Sequence, residues 1–308
     1  MWRDLPAELK VKILQYLPFR SLMRFMLLSR ESFLLASKAR IKMERIQLEA
    51  KRANAVFPVN NMCLIVLRNI PGSYEEYKFN FFPDSMGGCI VQRSGARSVH
   101  YDQDYEFTAI EILFHFTDFL NVQFLEIILH FLTPGVAHAL KMFSTSTLLA
   151  ERFKLVTSDS SIIHKLLPYV GRNTFSIEIT GAPSTEFFDY EVVQTVQDLH
   201  VYQKAELFDE QLSRLQATSL SISSPHINSF SINGLITQWL RGERTIVCMR
   251  FCTTKMFLWD ILLEGIDPAK IEDVDVPGEF DITKSLHSGH GNLRIRNSGG
   301  YCELKYYS

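Results

Sequence analysis

The stretch that decides the N-terminal fold is LPAELKVKILQYLPFRSLMRFMLLSR, residues 5–30. Its apolar side chains recur every four positions in Leu9, Ile13 and Leu17, which is the spacing of one face of a helix. Pro18 ends this helix because proline cannot continue the backbone hydrogen bonding. A second apolar run and a third segment follow. The sequence therefore predicts three short helices.

Apolar side chains are unusually dense at this end of the chain. Of residues 1–36, 21 belong to the hydrophobic set. A helical unit of this size falls below the roughly 40 residues at which a domain can usually bury its own core. Three such helices cannot hide that much apolar surface among themselves, so another chain or the rest of this one must cover part of it. The pattern predicts an interaction module.

The same residues resemble the F-box. The family pattern opens with Leu-Pro-x-Glu-Leu, continues with Ile-Leu and x-Leu-Pro, and ends with a Val-Ser-Arg-like triplet. The chain departs from it at Leu28, where Val is usual, and at Phe33, where many members carry Trp, and both keep an apolar side chain. An ordinary amphipathic helical hairpin is the alternative interpretation. The matching positions are Leu5, Pro6, Glu8, Leu9, Ile13, Leu14, Leu17, Pro18, Leu22, Ser29 and Arg30.

The resemblance implies a partner and a set of contact residues. An F-box docks on a Skp1-like adaptor and, through it, on a cullin–RING ubiquitin ligase of the SCF type. The rest of the chain would then hold a target protein; no residue would be catalytic, and no cofactor is expected. A non-degradative interaction scaffold and an α/β enzyme with an unrecognised site are the alternatives. The implied adaptor contacts are Leu5, Pro6, Leu9, Ile13, Leu14, Leu17, Pro18 and Leu22.

Composition and length indicate a globular protein with two domains rather than one. The chain has 308 residues, of which 46% are hydrophobic and 21% are charged. Its five cysteines lack a close-spaced framework, which predicts free thiols in a reducing compartment. The N-terminus has no signal-peptide h-region, and the most apolar window, Ile112–Leu132, is interrupted by several polar residues. That window predicts a buried helix and strand rather than a membrane span, and we expect a cytoplasmic or nuclear protein.

Charge is divided unevenly along the chain. Residues 1–52 carry 12 Lys and Arg against 5 Asp and Glu, whereas the remainder carries 20 against 29. Residues 38–52 predict a basic amphipathic helix, which either guides an acidic partner or is a solvated face. Because the basic residues are confined to one segment, nucleic acid is not an expected partner. The predicted first domain is a helical F-box over residues 1–52.

The pattern then changes from helical to alternating. Short strands separated by Pro and Gly turn signals predict a strand-rich connecting region over residues 53–105. Over residues 106–308, strand-like segments recur at intervals of roughly twenty to thirty residues, with helix-forming stretches between them. This favours a curved, leucine-rich-repeat-like β-α domain, although a conventional α/β sheet would give nearly the same pattern. The predicted fold class is α+β.

Two stretches of this region resemble the type 2 F-box-associated domain, whose pairing with an F-box is typical of a large nematode-expanded group. One is the Asn-x-x-apolar-x-x-Trp-x-x-Gly element from Asn233 to Gly242, and the other is the strand, Gly turn and strand over residues 293–304. Trp239 is predicted to anchor the core from a helix that Gly242 ends. The target-binding residues are unknown. Candidates by geometry alone are the strand residues Glu178, His200, Tyr202 and Arg250.

No motif for catalysis or metal binding is found. The sequence has no phosphate loop, dinucleotide fingerprint, Gly-x-Ser-x-Gly elbow or His-Glu-x-x-His element. Cys248 and Cys252 lie four apart on a predicted strand, but no second pair completes a zinc set, so buried thiols are expected there. The sequence thus predicts a non-catalytic protein without a metal site.

Overall fold

The computed structural model describes residues 5–26, 28–52, 60–70, 73–274, 276–286 and 289–307. It divides the chain into two compact units, residues 1–174 and 175–308. The predicted boundaries near residues 52 and 105 both fall inside the first unit. The three-part division stays a prediction, and residues 53–59, where the first boundary is predicted, lie outside the described residues.

Three short helices open the first unit: α1 (Ala7–Tyr16), α2 (Phe19–Met26) and α3 (Arg30–Ala39). This confirms the prediction of three N-terminal helices. Ser29 caps α3 because its hydroxyl accepts a hydrogen bond from the Ser32 N–H at 3.1 Å. Arg40 ends α3 in the left-handed region, with φ of 38°, and turns the chain into the first strand.

The predicted basic helix over residues 38–52 is wrong, because residues 41–51 form a strand, β1 (Ile41–Lys51). Its buried side chains are spaced by two, three and two residues, which is the strand repeat of two with one change of phase. The strand β6 (Leu120–Ile128) has the same change of phase and pairs with β1 in parallel. This long-range pairing stabilises residues 41–51 as a strand rather than as a helix. The matched buried pairs are Met43 with Val122, Ile46 with Leu125, and Leu48 with Ile127.

The sheet of the first unit is built outward from β1. On one side β1 pairs antiparallel with β2 (Asn61–Ile70), followed by β3 (Ser73–Pro83), β4 (Cys89–Arg93) and β5 (Val99–Tyr101). On the other side β6 and then β7 (Ala150–Val156) run parallel to it. The helices of this part are α4 (Tyr105–Phe119), α5 (Pro134–Met142) and α6 (Ser160–Leu166). The strands predicted in residues 63–101 are confirmed, as are the helix and strand expected in Ile112–Leu132.

The second unit begins with parallel strands joined by helices. The strands β8 (Ser176–Thr180), β9 (Asp198–Lys204), β10 (Ser219–Ser223) and β11 (Cys248–Cys252) pair in sequence order. The helices that follow them are α7 (Glu191–Thr195), α8 (Asp209–Arg214), α9 (Ser229–Arg241) and α10 (Trp259–Leu262). An antiparallel part completes the sheet in the order β15 (Tyr301–Tyr307), β14 (Gly289–Ser298), β13 (Glu279–Leu286) and β12 (Ile271–Asp273).

Side chains on β8 to β11 alternate between a buried face, which packs toward the core, and an open face. The predicted core anchor is confirmed, since Trp239 on α9 is 5% exposed. Gly242 ends α9 with φ of 78°, in the left-handed region that a side chain disfavours. The elements of this unit thus follow the local sequence signals closely.

Candidate functional site

The three N-terminal helices leave a large set of apolar side chains exposed. Leu9 and Ile13 on α1 are 45% and 40% exposed. So many exposed large apolar side chains on a segment of about thirty residues are typical of a surface that another protein covers. We call this set the exposed apolar surface, and its members are Leu9, Ile13, Tyr16, Leu28, Phe33 and Leu34.

The structure separates the eight predicted adaptor contacts into two groups. Leu14 and Leu22 are fully buried, and they hold the helices together. The other six keep accessible surface, and the assignment of all eight as adaptor contacts stays a prediction. Of these six, Pro6, Leu9, Ile13 and Pro18 are exposed, and Leu5 and Leu17 are half-buried.

The junction between α1 and α2 is fixed to the sheet by Arg68 of β2. The Arg68 side chain is 3% exposed, and its guanidinium donates hydrogen bonds to the backbone carbonyls of Gln15 and Leu17. These carbonyls lie at the C-terminal end of α1, where they lack helical partners and where the helix dipole favours a positive charge. Burial lowers the pKa of the Arg68 guanidinium, and the nearby Glu75 carboxylate opposes that shift.

The other side of the same junction is fixed by Glu75 of β3, the direct cross-strand partner of Arg68. Its carboxylate accepts a hydrogen bond from the N–H of Phe19, the first residue of α2, at 3.1 Å. The Arg20 N–H donates to the Tyr77 hydroxyl oxygen at 3.2 Å. A carboxylate at a helix N-terminus is stabilising for the same reason that a cation is at a C-terminus. We call Arg68, Glu75 and Tyr77 the junction clamp.

Aromatic packing completes the attachment. The Phe19 ring is buried, with its centroid 4.9 Å from that of Tyr77 and 5.8 Å from that of Phe116 on α4. Phe33 on α3 contacts Phe119 at 6.3 Å between ring centroids. Pairs with this geometry contribute about 0.5–1.5 kcal/mol beyond the area that they bury. The helices are therefore packed onto the sheet of the first unit rather than carried on a free linker.

Comparison with known protein families gives a match for this helical segment. Residues 2–42 match the F-box domain. The chain carries an F-box. Domains of this family typically bind Skp1 in SCF ligases, and F-box proteins are generally non-catalytic adaptors. The match covers α1 to α3 and ends at the start of β1. No curated protein and no solved structure matches the chain.

Outside the F-box, the structure brings three of the four candidate target-binding residues into one row. Glu178 pairs with His200, which pairs with Ser221, which pairs with Arg250, so their side chains share the open face of β8 to β11. Tyr202 lies further along β9, and its ring stacks on that of His200 at 6.5 Å between centroids. The row continues into β15, because the Arg250 Nε donates to Glu303 Oε1 at 2.8 Å.

The two cysteines of β11 also lie on this open face. Cys252 is exposed and Cys248 is half-buried, so the expectation of two buried thiols is wrong. The reason is the register of β11, which points Met249 and Phe251 into the core instead. Within the part of the chain that the structure describes, no three His, Cys, Asp or Glu side chains gather as metal ligands would. No helix in that part combines the length and apolar character needed to cross a membrane.

Sequence reasoning missed the junction clamp, although a signal for it exists. The Pro71-Gly72 pair predicts a turn between two strands, and residues 68 and 75 lie at equal distances from its centre. Opposite charges placed so would face each other across a hairpin. What the sequence could not show is that both charges point toward the α1–α2 junction, which lies about fifty residues away along the chain.

Proposed function

We propose that the chain is the substrate-recognition subunit of an SCF-type ubiquitin ligase. The observation that carries the proposal is the F-box at residues 2–42 with its exposed apolar surface. That surface would bind a Skp1-like adaptor, and the adaptor would connect the chain to the cullin and RING subunits. Of the eight predicted adaptor contacts, those with accessible surface are Leu5, Pro6, Leu9, Ile13, Leu17 and Pro18.

The second unit would then bind the target protein. We propose that it is a type 2 F-box-associated domain with a leucine-rich-repeat-like β-α arrangement, supported by the two resembling stretches and by parallel strands that pair in sequence order. The chain would contribute proximity rather than bond chemistry, because holding the target near the charged conjugating enzyme raises the effective concentration of its lysines. No residue would be catalytic, and the protein would act in the cytoplasm or nucleus.

The test is binding of the full chain to a purified Skp1-like adaptor. The variant Leu9→Asp/Ile13→Asp places two charges on the exposed apolar surface without changing the core. We expect at least about a tenfold loss of affinity, because burying apolar area favours binding by roughly 25 cal/mol per Å² and a buried unpaired carboxylate opposes it. Met142→Asp is the control, since Met142 is an exposed apolar residue on α5, outside the exposed apolar surface. Equal binding by all three proteins would contradict the proposal.

A second assay separates degradation from scaffolding. Reconstitution of the complete ligase with the chain, an activating enzyme and a conjugating enzyme would measure ubiquitin transfer to a captured target. Transfer that depends on the F-box supports the substrate-recognition role. Adaptor binding without any transfer would instead favour a non-degradative scaffold.

A further inference from the structure

The second unit carries an exposed apolar group where its parallel strands end. The connections that leave β9, β10 and β11 meet at one edge of the sheet, because parallel strands place their carboxyl ends together. Phe230 and Met256 are 63% and 73% exposed, and Phe208 and Leu258 are exposed as well. We call these four residues the apolar edge. In open parallel sheets, ligands bind outside the carboxyl ends of the strands.

Contacts between the connections keep this edge together. The Phe208 ring, at the start of α8, stacks on His226 of the next connection with 4.1 Å between centroids. The Asp209 carboxylate accepts hydrogen bonds from Asn228 at 3.4 Å and from the Ser231 hydroxyl, which joins the starts of α8 and α9. The Leu258 N–H donates to the Ser229 hydroxyl oxygen at 2.8 Å, which joins α9 to the connection before α10.

The charge around the apolar edge is mainly negative. Asp209 and Glu210 occupy the first turn of α8, and Asp260 occupies the first turn of α10, where carboxylates stabilise the helix dipole. Glu206 is exposed on the connection that leads to α8. The neighbouring exposed cations are Lys204 and Lys255. Four carboxylates against two lysines give a negative rim, which matches a partner segment of positive charge.

The open face of the same sheet offers less to a partner, because the arginines of β11 and β14 there already pair with carboxylates. Arg250 bonds Glu303 at 2.8 Å, and Arg296 bonds Glu279 at 2.6 Å. A partner docking there would have to replace these contacts. The apolar edge instead presents large apolar side chains that gain from burial without breaking an ion pair.

We propose that the apolar edge binds a segment of the target protein that combines apolar side chains with lysine or arginine. The exposed rings of Phe208 and Phe230 would provide the anchors, and the carboxylate rim would favour basic over acidic segments. The inference rests on the proposed function, since it specifies which surface of the second unit takes the target and with what chemistry.

The experiment measures binding of three labelled twelve-residue peptides to the full chain by fluorescence anisotropy. The first alternates lysine with leucine and phenylalanine, the second replaces lysine by glutamate, and the third keeps lysine but replaces the apolar residues by serine. We expect the first to bind at least about tenfold more tightly than the other two. The edge variant Phe230→Ser/Met256→Ser should lose at least about tenfold in affinity for it.

The matched control is Phe175→Ser/Val247→Ser, which changes two exposed apolar residues just before β8 and β11, at the ends of these strands opposite to the apolar edge, and should bind like the unchanged chain. Equal binding of the lysine and glutamate peptides, equal losses in both variants, or no binding at about 1 mM peptide would each overturn the inference. Adaptor affinity is measured in parallel on the same proteins. If it is retained while peptide binding fails, only this inference is overturned, whereas failed adaptor binding by the unchanged chain overturns the proposed function.

Discussion

Replacing Arg68 by methionine should loosen the F-box helices while the sheet beneath them stays folded. Methionine keeps most of the apolar stem but removes the guanidinium that bonds the carbonyls of Gln15 and Leu17. Hydrogen bonds from a charged donor contribute about 1.5–3 kcal/mol each, and the cost of burying the guanidinium offsets part of that sum. We therefore expect the free energy of local opening of α1 and α2 to fall by about 2–4 kcal/mol.

Native-state hydrogen exchange is the suitable assay, because it reports opening of α1 and α2 separately from the sheet. Since 1.4 kcal/mol corresponds to a factor of ten, amides of these two helices should exchange about 30- to 700-fold faster. Amides of β2 and β3 should change little. Arg68→Lys should recover only part of the protection, because one ammonium cannot reproduce the planar fork of the guanidinium. Arg24→Met, at an exposed position on α2, is the control and should stay within about 0.5 kcal/mol. Exchange in Arg68→Met as slow as in the control would refute the role of the junction clamp.

Two further predictions follow from burial. Leu14→Ala, at a fully buried position, should destabilise the F-box by about 2–5 kcal/mol in hydrogen exchange, whereas Ile13→Ala next to it should cost less than half as much and lower adaptor affinity instead; equal costs would contradict the assignment of Leu14 to the core. Burial raises the pKa of the Cys302 thiol to about 12, so that the thiol should resist a disulfide reagent at pH 8 while the exposed Cys252 reacts at once. Because the folded pKa lies above the ordinary value of 9.0, the stabilising contribution of protonated Cys302 is complete below pH 9 and is lost as the pH rises toward 12. A Cys302→Ala variant whose stability falls equally steeply over that range would contradict this assignment.

Local sequence patterns predict most of the secondary structure. The helix α1 follows from a repeat of four residues and a proline, and the strands β2 to β5 follow from alternation bounded by turn signals. The error at residues 38–52 has a specific physical cause. The buried residues of β1 change phase between Met43 and Ile46, which interrupts the alternation by which a strand is predicted, and only the pairing with β6, where the phase changes at the same place, shows that the segment is a strand. A short stretch of sequence cannot show this pairing, because β6 lies far from β1 along the chain.

In the candidate site, too, local sequence patterns do not show which single residues long-range contacts will bury. Ile13 and Leu14 are adjacent, equally apolar and both part of the F-box pattern, yet one is 40% exposed and the other is fully buried. Periodicity shows that α1 has an apolar stripe, but that stripe is wide enough to supply both a core and a surface. Which residues serve which purpose depends on how α1 is rotated against the sheet, and contacts made by residues far along the chain set that rotation.

The junction clamp connects this rotation to the proposed function. Arg68 bonds the end of α1 and Glu75 bonds the start of α2. Together they fix the orientation of the exposed apolar surface relative to the sheet of the first unit. If a ligase subunit works by proximity, its rate depends on how narrowly the geometry between its binding surfaces is distributed. The junction clamp restricts the range of orientations that the F-box helices adopt on the sheet of the first unit, whereas a flexible linker would widen that range. Loss of Arg68 should therefore reduce ubiquitin transfer by more than it reduces adaptor affinity, and equal reductions would mean that the clamp only stabilises the fold.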